Sequence, residues 1–121
     1  MATKVLIVDD SKVMRMVIKK GLTEAGFACD IVEAGDGKEG LDKFSAENPQ
    51  LVLSDWNMPN MNGCDMLREI RKLNASVPVI MVTTEGAEDK IGEAISAGAN
   101  GYVCKPFTPD KLKEKLGGFI Q

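Results

Sequence analysis

Residues 4–22 read KVLIVDDSKVMRMVIKKGL, and the change of period inside that stretch decides the fold. Val5 to Val8 are four consecutive apolar residues. A run without polar alternation suits a strand covered on both faces of its sheet. From Val13 the apolar residues fall at helical spacing instead, at Val13, Met14, Val17, Ile18 and Leu22. Ser11 stands where an N-cap belongs, because its hydroxyl can accept from a backbone N–H of the first turn, and Gly26 closes a helix over about 11–26. The stretch is one βα unit, and two adjacent acids, Asp9 and Asp10, sit at its junction.

The unit recurs along the chain. CDIVEA (29–34) is a second short strand, and a helix over 37–47 carries Leu41 and Phe44 until Asn48-Pro49 ends it. LVLSD (51–55) is a third strand, followed by a helix from about 62 to 73 with Met66, Leu67 and Ile70. VPVIMVT (77–83) is a fourth strand, and the helix after it, roughly 88–97, carries Ile91, Ala94 and Ile95 and ends at Gly98. GYVC (101–104) is a short fifth strand, and residues 109–119 make a last helix with Leu112, Leu116 and Phe119 on one face. The expected fold is α/β: a (βα)₅ doubly wound, parallel five-stranded sheet. Right-handed crossovers put helices on both faces. No linker or composition break divides the chain, so residues 1–121 are expected to form one domain with no output domain attached.

Composition narrows the function. The net charge is −3 and the basic residues are scattered, which argues against a partner bound through a phosphate backbone such as DNA. No apolar stretch approaches the roughly 18 residues of a membrane span. The N-terminus MATKVLIVDDSK carries acids where a signal peptide would continue apolar, so a soluble cytoplasmic protein is expected. The three cysteines, Cys29, Cys64 and Cys104, are far apart in sequence and there is no histidine, so three reduced thiols are expected rather than disulfides or a thiolate metal site.

In an open α/β sheet, ligands bind beyond the carboxyl ends of the strands, at the switch in strand order. The order 2-1-3-4-5 is carried over here from flavodoxin-like folds by analogy. The first strand ends in Asp9 and Asp10, the third in Asp55, the fourth in Thr83 and Thr84, and the fifth leads into Cys104, Lys105 and Pro106. Any one of these alone reads as a cap, a turn or a solvated loop residue. Together they bring three carboxylates, a hydroxyl and an ammonium to one rim of the sheet. Three neighbouring carboxylates repel one another and need cations. Lys105 supplies one charge, and an all-oxygen donor set suits Mg²⁺, with Asp10, Asp55 and one backbone carbonyl as ligands.

At this point the residues resemble a family. VLIVDDSKVMR, LVLSDWNMPNMNG, VIMVTTEG and GYVCKPF, in that order over about residues 4–120, resemble the receiver domains of two-component response regulators, most of all the single-domain chemotaxis type. The resemblance implies that Asp55 is the phosphoryl acceptor. It implies that Asp10, Asp55 and the backbone carbonyl of Asn57 ligate Mg²⁺, with Asp9 acting through a bound water. It makes Thr83 a switch hydroxyl, Lys105 the partner of the acceptor and then of the phosphoryl oxygens, and Tyr102 an aromatic switch residue. It also implies a cis Lys105–Pro106 bond. Departures are small: Thr84 stands where a small residue is common, and Ser11 where relatives can carry an aromatic. Asn57 and Glu85 would tune dephosphorylation.

The implied partners are a sensor histidine kinase as donor, the flagellar motor switch as target, and a phosphatase, with the protein itself monomeric and outside the membrane. The readout face would be the fourth helix, fifth strand and fifth helix, with Lys90, Tyr102 and Lys115 as contacts. A phosphorelay shuttle is the alternative within the family. The chain would be an acceptor with weak self-catalysed phosphorylation and dephosphorylation, not a turnover enzyme. Two readings outside the family fit less well. A phosphatase of the haloacid dehalogenase kind needs a second acid where Asn57 stands, and an FMN carrier needs a Ser/Thr/Gly-rich loop where the acidic DDSKVMR stands.

Overall fold

The apolar run Val5–Val8 forms the end of strand β1 (Thr3–Val8) in a computed structural model of the chain, and all four residues are buried. The structure describes residues 2–84 and 88–120, and the side chains of residues 83–84 and 88–90 lie outside that description. Helix α1 (Lys12–Glu24) begins at the expected cap: Ser11 Oγ accepts from Met14 N at 3.1 Å. Then follow β2 (Cys29–Ala34), α2 (Gly37–Glu47), β3 (Leu51–Ser54), α3 (Gly63–Leu73), β4 (Val79–Thr84), α4 (Glu88–Ala97), β5 (Gly101–Lys105) and α5 (Pro109–Leu116). Asn48 ends α2 in the left-handed region at φ 48°, and Pro49 cannot continue the helix.

All four strand pairings are parallel and the order is β2-β1-β3-β4-β5. The sheet therefore divides the core into two layers. On one face Leu6, Val8, Val52 and Met81 pack with Phe44 of α2, Met66, Leu67 and Ile70 of α3, and Ala94 of α4. On the other, Val5, Ile7, Leu53, Ile80 and Val103 pack with Ile18 and Leu22 of α1 and Leu112 and Leu116 of α5. Alternate residues of β1 serve opposite layers, so the run had to be apolar throughout. Burying each such aliphatic side chain contributes roughly 1.5–3 kcal/mol before chain entropy is counted.

Three residues read at helical spacing lie outside the core, and a fourth lies beyond the end of its helix. Val13 and Val17 are 69% and 44% exposed, because α1 lies on the sheet along the row Met14, Ile18, Gly21 and Leu22, and the 13–17 row flanks it. Ile95 is 48% exposed: α4 faces the core through Ala94 and Ala97, a narrow stripe that turns the next residue outward. Phe119 is past the end of α5, which stops at Leu116 before Gly117 and Gly118, and it packs half-buried from the following turn. All three cysteines are free: Cys64 is buried, Cys29 and Cys104 half-buried. Burial pushes the thiols of Cys29 and Cys64 up, which keeps them protonated. No helix among the described residues is long and apolar enough to cross a membrane.

Candidate functional site

The register of the sheet sets the site. Val8 pairs with Ala34 on one side and Ser54 on the other, so the residues after β1 and β3 emerge level at one rim. Asp55 N donates to Val8 O at 2.9 Å and Asp9 N to Ala34 O at 3.1 Å, which extends the ladder one step to each acid. The side chains of Asp9, Asp10 and Asp55 each bring an oxygen within 4.8 Å of the others. The burial is graded: Asp9 is 1% exposed, Asp55 half-buried and Asp10 exposed.

Among the described residues, Lys105 brings an ammonium to these carboxylates. The Lys105 Nζ stands 3.2 Å from Asp9 Oδ2 and 3.4 Å from Asp55 Oδ1. It is carried on the last residue of β5, whose partner in register is Thr84. The Lys105–Pro106 bond is cis, as expected. Ser11 N donates to Asp9 Oδ1 at 2.9 Å, and Trp56 N to Asp55 Oδ1 at 2.8 Å. Burial pushes the Asp55 carboxyl above its usual range; Lys105 pulls it back, and neighbouring Asp9 pushes it up again. Three acids against one ammonium leave the rim short of positive charge. The donors are all hard oxygens, which fits a small divalent cation and not a thiolate or imidazole metal.

The loop that carries Asp55 is clamped at both ends, and here lie residues that sequence reasoning missed. Gly63 N donates to Trp56 O at 2.8 Å, and a Cβ on Gly63 would sit 2.0 Å from Asp55 O. Only glycine lets α3 start against the backbone of the acid. At the tip, Asn60 (φ 65°) donates from Nδ2 to Asp36 Oδ2 at 2.7 Å, and Gly37 N donates to Met61 O at 3.1 Å. A Cβ on Gly37 would be 2.3 Å from that same oxygen. Asp36 also caps α2 by accepting from Glu39 N at 2.8 Å, which holds its carboxyl below the usual range together with Asn60. A glycine opening each helix was visible in the sequence, but the backbone it must approach was not. Trp56 is 8% exposed and belongs to the core layer beneath the loop.

The chain matches the family model for the response regulator receiver domain over residues 5–117. It belongs to that family. Curated relatives include the chemotaxis protein CheY1 of Helicobacter pylori strain J99, 45% identical over 93% of each chain. The chemotaxis protein CheY of Pseudomonas aeruginosa is 47% identical over 93% of this chain and 92% of its own. Among solved structures, Vibrio cholerae chemotaxis protein CheY4 superposes with a TM-score of 0.88 at 34% identity, covering 98% of this chain and 99% of that one. A putative response regulator from Chloroflexus aurantiacus reaches 0.90 at 26% identity, with 98% of each chain covered.

The other receiver positions fall as follows. Asn57 is exposed on the loop, two residues after Asp55. Thr83 lies at the rim in β4, opposite Cys104, and its side chain, like that of Lys90 in α4, is outside the described residues. Glu85 is outside them altogether. Tyr102 is not among the acids: it pairs with Met81 in β5, half-buried, with Lys115 Nζ 5.3 Å from its ring centroid. The predicted site residues thus separate into a rim cluster of Asp9, Asp10, Asp55 and Lys105 and a face of α5 and β5 carrying Tyr102 and Lys115.

Proposed function

We propose that this receiver domain is the phosphoryl-accepting response regulator of a chemotaxis pathway, with Asp55 as acceptor and a sensor histidine kinase as donor. The observation that carries the reading is the placement of the Lys105 ammonium between the Asp9 and Asp55 carboxylates in a rim that still lacks positive charge. The names of the relatives support the chemotaxis assignment.

Asp10, Asp55 and the Asn57 carbonyl are the groups that would hold Mg²⁺, with Asp9 reaching it through water. The ion supplies charge neutralisation and alignment of the transferring phosphoryl oxygens. The chain's own groups do the rest. An Asp55 oxygen attacks phosphorus in line, the P–N bond of the phosphohistidine breaks, and its electron pair stays on the imidazole. Lys105 turns from the carboxylate to a phosphoryl oxygen, and the Thr83 hydroxyl donates to another. Water then hydrolyses the acyl phosphate slowly, aided by a phosphatase. The chain is an acceptor with weak self-catalysis and not a turnover enzyme.

Phosphorylation shifts a population. The phosphoryl group makes a contact with Thr83 in only one position of its loop, and the switch gains that differential contact energy. Space vacated by Thr83 admits Tyr102, and the face carrying Lys90, Tyr102 and Lys115 presents the new state to the flagellar motor switch. The protein works as a cytoplasmic monomer.

Trp56 adjoins the acceptor and tests the reading. Its emission should change with millimolar Mg²⁺ and again with beryllofluoride; an emission indifferent to both would remove the cation site and the acceptor with it.

A further inference from the structure

The acid pair is held from behind as well as from the front. Arg15, one turn into α1, donates from Nη1 to the carbonyl oxygen of Asp9 at 2.6 Å and from Nε to Glu33 Oε1 at 3.0 Å. Lys19, one turn further, donates to the other Glu33 oxygen at 3.1 Å. Glu33 sits near the end of β2, in register with Ile7. Lys19 holds its carboxyl below the usual range; burial opposes this and Arg15 adds to it. The Arg15 side chain is only 17% exposed. A guanidinium offers a rigid planar fork, and here two acceptors, one just past β1 and one on the side chain of a β2 residue, engage two of its arms.

The oxygen that Arg15 holds belongs to the peptide whose nitrogen is that of Asp10. The plane of that peptide sets where the Asp10 side chain starts. Asp9 is fixed through its own carboxylate, by Ser11 N and Lys105. Asp10 is exposed, so its backbone is what aims it.

We propose that Arg15 is a positioning residue for the cation: by fixing the Asp9–Asp10 peptide it presents the Asp10 carboxylate to the ion, and Glu33 holds the fork and offsets its charge. The inference rests on the cation site proposed above. Two effects of Arg15 oppose each other. A positive group beside the rim repels a cation, while a fixed peptide favours it. The Glu33 carboxylate, shared with Lys19, offsets part of the first effect and leaves the second.

Mg²⁺ alone, titrated against Trp56 emission in wild type, R15K, R15M and E33Q, separates them. R15K keeps the charge and loses the fork, and its Kd for Mg²⁺ should rise about tenfold, as when the outer partner of a metal ligand is removed. R15M should also bind more weakly, although it removes a positive charge. E33Q should fall between wild type and R15K. The rate of labelling by acetyl phosphate should recover in R15K at saturating Mg²⁺, which a general structural defect would not allow. An R15K Kd equal to that of wild type, tighter binding by R15M, or a rate deficit that persists at saturation would overturn the inference. If R15M does not fold, R15K and E33Q decide. A wild type that ignores Mg²⁺ would overturn the cation reading itself, whereas a responding wild type with an unchanged R15K overturns the role of Arg15 alone.

Discussion

The Lys105 ammonium lies between two carboxylates from different strands, 3.2 Å from Asp9 and 3.4 Å from Asp55, and joins the carboxyl ends of β5, β1 and β3 at one point. Removing one side of a buried ion pair leaves a charge uncompensated. K105M is therefore expected to lower stability in EDTA at neutral pH by roughly 1–3 kcal/mol, since Ser11 N still holds Asp9. Mg²⁺ should restore more stability to K105M than to wild type. Urea denaturation in EDTA and in Mg²⁺ checks this, and equal gains in the two proteins would contradict it.

Gly63 and Gly92 make a matched pair. A Cβ at Gly63 would overlap Asp55 O at 2.0 Å, whereas one at Gly92, exposed on α4, meets nothing within 4 Å. G63A should cost about 1–3 kcal/mol, the usual scale of overpacking, and should weaken Mg²⁺ binding by displacing the acid. G92A should be neutral or stabilise by up to about 1 kcal/mol, because alanine is the better helix former. Urea midpoints of the two variants read out both signs.

The raised Asp55 carboxyl makes a pH prediction. Its folded pKa lies above that of a free aspartate carboxyl, chiefly through burial. Between the unfolded and folded values the folded chain holds more of the proton, so stability falls as pH rises through that window and the cost stays in place above it. D55N removes this cost. In EDTA it should melt higher than wild type at neutral pH, and the gap should close on acidification toward the ordinary carboxylate range. Glu33 and Asp36 shift the other way but are common to both proteins, so the difference curve isolates Asp55. A gap that stays constant with pH would count against the raised value.

Much of this was legible in the sequence because the signals were local. The unbroken run Val5–Val8, the Ser11 cap and the Asn48-Pro49 stop each act within a few residues, and the elements they bound fall close to where they were expected. The rim acids were legible because a parallel sheet sends every strand's carboxyl end to one side. Arg15, Gly37 and Gly63 were not, because each matters through a backbone oxygen brought from elsewhere in the chain: Asp9, Met61 and Asp55 in turn. Exposure of Val13 and Ile95 was hidden for a related reason. Helical spacing gives the apolar rows of a helix, and the sheet it lies on selects one of them.

The central claim is that Asp55 accepts a phosphoryl group. Intact-mass spectrometry after incubation with acetyl phosphate and Mg²⁺, followed by borohydride reduction of the acyl phosphate and peptide mapping, tests it most directly. The account predicts one phosphoryl adduct on wild type, reduction mapped to residue 55, no stable adduct on D55N, and none in EDTA. An adduct of wild-type yield on D55N, or one mapped to another residue, would contradict it.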